Sequence, residues 1–167
     1  MNRNAILIPI SFVVYVLLQI LLFRRLVLFD TAFCFMYIGF LLFLPLEWSV
    51  VYLLLAGFGA GLLVDVFQNS AGLHAGATVL VAFMRNGWLR VITPQGGYVS
   101  TGTFRNLGLV WLLSYMVPLV VIHQMVLFFA EAGTFRLTGL TLSRVILSSF
   151  YTILVLFLMR MVFYGRR

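Results

Sequence analysis

The residues of this chain with the chemistry to do more than pack are few: Asp65, His74, His123, Glu131 and Cys34. They stand beside a ladder of glycines at Gly57, Gly61, Gly72 and Gly76. Asp65 closes the run Gly57-Phe-Gly-Ala-Gly-Leu-Leu-Val-Asp65, in which Gly57, Gly61 and Asp65 recur every fourth position and so share one helix face. A carboxylate at the centre of a membrane helix costs about 2.5–3.5 kcal/mol on the insertion scale, and less near an end. A proton or ion relay would justify that cost, as would an ion pair with a partner protein. The plainer alternative is a helix-end carboxylate that reaches interfacial water or accepts hydrogen bonds from the amides of Gln68-Asn-Ser-Ala-Gly72. A relay needs a succession of titratable groups across the membrane, and the cytoplasmic half of the expected spans offers none.

His123 and Glu131 are eight positions apart and share a face of one helix. With His74 and Asp65 they make a candidate polar cluster beneath the external surface. No paired spacing such as His-x-x-x-His occurs, so the expectation is no metal and no cofactor, with a buried His123 bonded to a neighbouring carbonyl. Catalysis finds no foothold either. There is no Gly-x-Ser-x-Gly elbow, no phosphate-cradling loop and no lysine anywhere. Cys34 is the single cysteine, lies in an apolar run with no histidine close in sequence, and reads as a packing residue. Ser143, Ser148 and Ser149 read as hydrogen-bonding helix residues. The chain is expected to be a non-enzyme with no catalytic residue.

The elements that must position these residues are membrane helices. Of 167 residues, 63% are hydrophobic and 9% charged, against about 25% charged in soluble domains. Long continuous apolar runs exclude a barrel, whose strands would be short and alternating. The fold class expected is therefore an all-α polytopic helix bundle, one integral membrane domain over 1–167. Six spans fit: roughly 5–23, 31–46, 48–66, 73–92, 107–130 and 138–163. The first ends in Arg24-Arg25 without a small-residue cleavage site, so it reads as a span and not as a signal peptide. The second is short, closed by Pro45 and flanked by Asp30 and Glu47. The fourth carries Arg85 and Arg90, so its membrane part is expected to stop near Met84. No internal repeat or low-complexity tract occurs.

The net charge is +7, and all eleven basic residues are arginine. They sit singly or in pairs beside apolar segments, which points to topology signals and anionic lipid and not to nucleic acid. Arg3, Arg85, Arg90, Arg105, Arg160, Arg166 and Arg167 fall on the side of the termini; Arg24, Arg25, Arg136 and Arg144 fall opposite. The positive-inside rule then places both termini in the cytoplasm, with Arg85 to Arg105, through Pro94-Gln-Gly-Gly97, as the main cytoplasmic loop. Trp48, Trp88 and Trp111 fall near span ends, where indoles anchor at the interface. The small residues at Gly57, Gly61, Gly72 and Gly76 let two backbones approach, so spans three and four are expected to form a tight hairpin. The same face, read otherwise, is a docking surface for another subunit.

At Gly61-Leu-Leu-Val-Asp65 followed by Gly72-Leu-His-Ala-Gly76, the chain resembles the MreD family, small membrane proteins of the bacterial rod-shape system. Length, span number, the short second span and the basic tail agree with that resemblance. It implies a non-enzymatic inner-membrane scaffold bound to a periplasmic MreC-like partner. It also implies a link between the actin-like MreB on the cytoplasmic side and RodA with its penicillin-binding transpeptidase. The family is similar in fold to the substrate-binding subunits of energy-coupling-factor transporters, which implies vitamin-type solute uptake as the alternative. Those subunits carry an Ala-x-x-x-Ala pattern on the first helix, whereas span one here has only Ala5.

Overall fold

A computed structural model describes residues 3–23, 25–93, 108–133 and 138–164. Among the described residues there are six α-helices: α1 (Arg3–Leu18), α2 (Ile38–Phe43), α3 (Val50–Gln68), α4 (Leu73–Ile92), α5 (Leu109–Ala132) and α6 (Thr138–Tyr164). A π-helical turn, Gln19–Phe23, extends α1. Two short antiparallel strands, β1 (Val27–Leu28) and β2 (Ala32–Phe33), follow it. The protein is an all-α membrane helix bundle. Among the described residues, four helical segments are long and apolar enough to cross a bilayer: Ile6–Phe23, Val50–Gln68, Leu109–Ala132 and Thr138–Met161. Arg24, Arg105, Arg136, Arg166, Arg167 and the loop through Pro94 lie outside the described residues.

The expected second span over 31–46 is not a single helix. The chain enters the bundle from β2, runs without helix through Cys34 and Phe35, and only then winds into the six-residue α2. Leu44 leaves that helix at ψ 152°, the extended conformation expected of a residue before proline. Everything from Cys34 to Leu42 is buried, while Asp30 and Glu47 at the two ends of this crossing are exposed. At Gly39, α2 passes between Tyr15 of α1 and Leu156 of α6 so closely that a Cβ would overlap both side chains.

Non-helical backbone at membrane depth survives only where protein groups satisfy it. Here side chains from two elements, α6 and the π-helical turn, do so. Ser148 Oγ accepts from the Phe33 amide at 2.9 Å, and Thr152 Oγ1 accepts from the Phe35 amide at 3.1 Å. Gln19, turned inward by the π-helical turn, donates to the Cys34 carbonyl at 3.1 Å and accepts from the Tyr37 amide at 3.4 Å. A ring cluster of Phe33, Phe35 and Phe128 packs around this leg. Cys34 is buried in it, in the packing role expected.

The third and fourth segments form the expected hairpin. A Cβ at Gly61 would lie 2.5 Å from the Cα of Ala75 and 2.5 Å from Thr78 Oγ1; one at Gly57 would lie 3.2 Å from the Thr78 carbonyl. Thr78 Oγ1 in turn lies 2.9 Å from the Gly57 carbonyl, across the contact. Gly72 has φ +87° and makes the left-handed entry to α4 that a side chain would strain. Gly76 is different: it is exposed on the outer face of α4 with no atom near a prospective Cβ, so it takes no part in the hairpin contact.

Helix α4 continues through Arg85 to Ile92, where the membrane part was expected to end near Met84. Its buried stripe includes His74, Thr78, Val81, Ala82, Arg85 and Leu89, so Arg85 belongs to the interior and not to a cytoplasmic loop. On α5, Pro118 cannot donate to the Ser114 carbonyl one turn earlier. Trp88 Nε1 supplies that bond at 3.0 Å, which ties α4 to α5.

Candidate functional site

Two polar constellations lie inside the bundle. The first gathers around Asp65 at the end where α3 turns into α4. One carboxylate oxygen accepts from Ser70 Oγ at 2.6 Å and from the His74 amide at 3.0 Å; the other accepts from the Ala75 amide at 2.8 Å. His74 and Ala75 are the second and third residues of α4, whose amides have no partner within the helix. Asp65 therefore does from a neighbouring helix what an N-cap side chain does locally, and its charge meets the positive end of the α4 dipole. The expectation of bonds to the turn amides was right in kind, but the amides used belong to α4 itself. The relay reading of Asp65 gains nothing, because each carboxylate oxygen is engaged by groups of the turn and helix end.

Asp65→Asn keeps the shape but turns one oxygen into a donor that faces a donor. Hydrogen bonds to charged groups contribute about 1.5–3 kcal/mol, so a destabilisation of that order is expected, read as a lower thermal midpoint in detergent with expression retained. An unchanged midpoint would show that the cap contributes nothing.

Above that cap, Tyr37 from the buried leg stands between two imidazoles. Its Oη is 3.0 Å from His74 Nδ1 and 2.7 Å from His123 Nε2. A hydroxyl has one proton, so Tyr37 donates to one ring and accepts an N–H from the other. The ring planes are steep to the phenol, with centroids 5.6 and 5.5 Å away. His74 and His123 thus come together as expected, but through a tyrosine and not through Glu131 or a carbonyl. Glu131 is exposed, because eight helical residues carry it about 12 Å along the axis from His123. The clasp joins the leg, α4 and α5. Tyr37→Phe strands two buried imidazole nitrogens at about 1–3 kcal/mol for each group left unpaired, and the expected result is a clear loss of thermal stability with insertion preserved. A variant as stable as the parent would refute the clasp.

The second constellation centres on Arg85, fully buried. Its Nε donates to Tyr115 Oη at 2.7 Å, one terminal nitrogen donates to the Leu44 carbonyl at 2.6 Å, and both reach the Pro45 carbonyl at 3.4 Å. Tyr115 Oη passes its own proton to the Leu42 carbonyl at 2.9 Å. The Leu42 carbonyl is one that the last turn of α2 leaves open, and the Leu44 and Pro45 carbonyls follow directly at the same end, where the dipole favours a cation. Arg85 and Tyr115 together close α2.

The two constellations do not connect. Between His123 and Tyr115 the buried positions of α5 are Met116, Leu119 and Val120, all apolar. Gln124 Nε2 donates to Thr152 Oγ1 at 3.1 Å, joining α5 to the residue that holds Phe35. Three further buried atoms, His123 Nδ1, Gln124 Oε1 and Ser149 Oγ, find no protein partner among the described residues. Also among the described residues, no group of three His, Cys, Asp or Glu is arranged to hold a metal.

Sequence reasoning did not single out Gln19, Tyr37, Thr78, Tyr115 or Gly39, and it read Arg85 as a cytoplasmic topology charge where the structure buries it. Arg85 had a signal, its position on the 3.6-residue buried stripe of α4; Gln19 had one as a lone polar residue inside an apolar run. Tyr37 had none, because its partners come from helices far away in the chain. No protein-family model, no curated protein and no solved structure matches this chain.

Proposed function

We propose that this protein is a non-enzymatic scaffold subunit of the bacterial rod complex, resident in the inner membrane with both termini in the cytoplasm. The observation that supports the reading most is the use made of its costly residues. Asp65 and Arg85, the buried acid and the buried cation, are each committed to closing a helix end. The segment that carries the resemblance to the MreD family, Gly61 to Gly76, is a helix-hairpin clamp. Buried charge devoted to architecture suits a protein whose activity is to hold partners. Helix α1 turns Leu7, Ile10, Val13 and Leu17 outward, a surface that suits the single membrane helix of an MreC-like partner. RodA with its transpeptidase, and MreB beneath the membrane, would assemble through that pair.

Deletion in the source bacterium is expected to give rounded cells and delocalised wall synthesis, with the MreC-like protein lost from pull-downs of the remaining complex. Normal rods with unaltered wall incorporation overturn the proposal.

A second reading has one observation in its favour. The unpartnered His123 Nδ1, Gln124 Oε1 and Ser149 Oγ, next to an interrupted crossing of the bundle, are what a binding subunit for a small polar solute would offer. Purified protein screened with vitamin-type solutes by native mass spectrometry decides between the two. A tightly retained solute would favour uptake over scaffolding.

A further inference from the structure

The hairpin between α1 and the buried leg is built in a way that its connecting role does not require. Its two strands pair Val27 with Phe33 and Leu28 with Ala32, leaving Phe29 and Asp30 at the tip. Both tip residues have positive φ, 54° and 53°. Asparagine, aspartate and glycine take that conformation readily, whereas for a bulky aromatic it is an outlier. Phe29 is nonetheless 91% exposed, so among the described residues no packing against its ring repays the strain. Thr31 holds the turn by donating to the Phe29 carbonyl at 3.1 Å.

The rest of the hairpin is two-sided. Strand β2 is fastened to α6, where the Phe33 amide donates to Ser148 and the Phe33 ring lies 5.9 Å from that of Phe128. Strand β1 is therefore the outer strand, and Leu26 and Leu28, two apart on one face, are exposed with Arg25 beside them. This surface is continuous with the outward face of the first apolar span, whose closing π-helical turn exposes Leu21 (71% exposed) and Leu22 immediately before the hairpin. An apolar stripe that begins in a bilayer-spanning helix and runs on through Leu26, Leu28 and Phe29 has its natural cover in the same bilayer. An arginine at its border matches lipid phosphate.

We propose that the β1–β2 hairpin is an interfacial membrane anchor, with Phe29 and Leu28 inserted among the lipid headgroups and upper acyl chains of the leaflet where α1 ends. The anchor holds the entry of the buried leg level with the membrane surface. It thereby fixes the depth at which Tyr37 meets His74 and His123.

Nitroxide labels at Phe29→Cys, and separately at Leu28→Cys with Phe29 intact, test this in the full chain. Cys34 is 1% exposed and stays unlabelled. The protein is reconstituted into nanodiscs of phosphatidylethanolamine and phosphatidylglycerol, and collisions with oxygen and with a water-soluble nickel chelate are compared. Exposed Glu131→Cys serves as the water-facing control. The expected result is strong oxygen relaxation at 28 and 29, with loss of the nickel relaxation seen at 131. Nickel relaxation at both sites equal to the control overturns the proposal, because the hairpin then stands in water. Protection from both reagents overturns it equally, because the patch is then covered by protein, either a second copy or another chain.

Discussion

Gly61→Leu is expected to leave the chain inserted but without a native α3–α4 pair. A Cβ at this position already lies 2.5 Å from the Cα of Ala75, which is backbone and cannot step aside. Overpacking in a core that can adjust costs about 1–3 kcal/mol. Here the obstruction is a helix axis, so the two helices must separate, and separation undoes three things together. It lifts Thr78 from the Gly57 carbonyl, draws the Asp65 carboxylate away from the amides of His74 and Ala75, and moves His74 from Tyr37. The measurement is thermal unfolding in detergent together with disulfide trapping between cysteines placed on the two helices. Gly61→Ala gives the graded case, a loss of about 1–3 kcal/mol with the pair retained. Gly76→Leu is the internal control: no atom lies near its prospective Cβ, so stability should hold. Equal losses at 61 and 76 would mean that the glycines matter through helix propensity and not through close approach.

Arg85→Lys is expected to damage the protein more than Arg85→Met, the reverse of what charge conservation suggests. The guanidinium reaches Tyr115, Leu44 and Pro45 at once because its donors are fixed in a planar fork. A lysine keeps the buried charge but offers a single ammonium on a shorter reach. It would retain the desolvation cost, which is several kcal/mol for an interior ion, and lose most of the bonds that offset it. Methionine removes the ion and leaves the Leu44 carbonyl unpaired, at about 1–3 kcal/mol, while the Pro45 carbonyl keeps its bond from the Trp48 amide at 3.3 Å. Both variants should loosen α2, detectable as faster hydrogen exchange of the amides from Ile38 to Phe43. If lysine proves milder than methionine, Arg85 acts through charge alone and the fork geometry is irrelevant.

Much of the architecture was legible before the structure. Apolar length placed α1, α3, α5 and α6 to within a few residues, because a helix that must bury its own hydrogen bonds in lipid has to be long, continuous and apolar. Helix spacing put Gly57, Gly61 and Asp65 on one face and gave the hairpin. Spacing misled at Glu131, since two residues on one face of a helix are not neighbours when two turns separate them. It also misled at Gly76, where the repeat of glycines suggested a continued interface but the helix had already turned that face outward. The apolar run over 31–46 was read as a span because composition reports burial, and burial is what the segment has. Composition does not distinguish lipid from protein as the surrounding medium. Only inside protein can Cys34 and Phe35 lie outside a helix, with Gln19, Ser148 and Thr152 supplying the bonds that a helix would have made itself.

Taken alone, the sequence determined that this is a membrane helix bundle, that α3 and α4 pair through glycine, and that Asp65 sits at a helix end. Those properties are local: they follow from hydropathy along the chain and from the 3.6-residue period of one helix. The tertiary structure decided what the ionisable groups are for. Asp65 caps a helix other than its own, Arg85 closes α2 across some forty residues of chain, and Tyr37 joins two histidines that lie far apart in sequence. Each of these is a hydrogen bond between distant segments. In a medium without water, such bonds form wherever the bundle brings a donor to an acceptor, and no periodicity along the chain records where that will be.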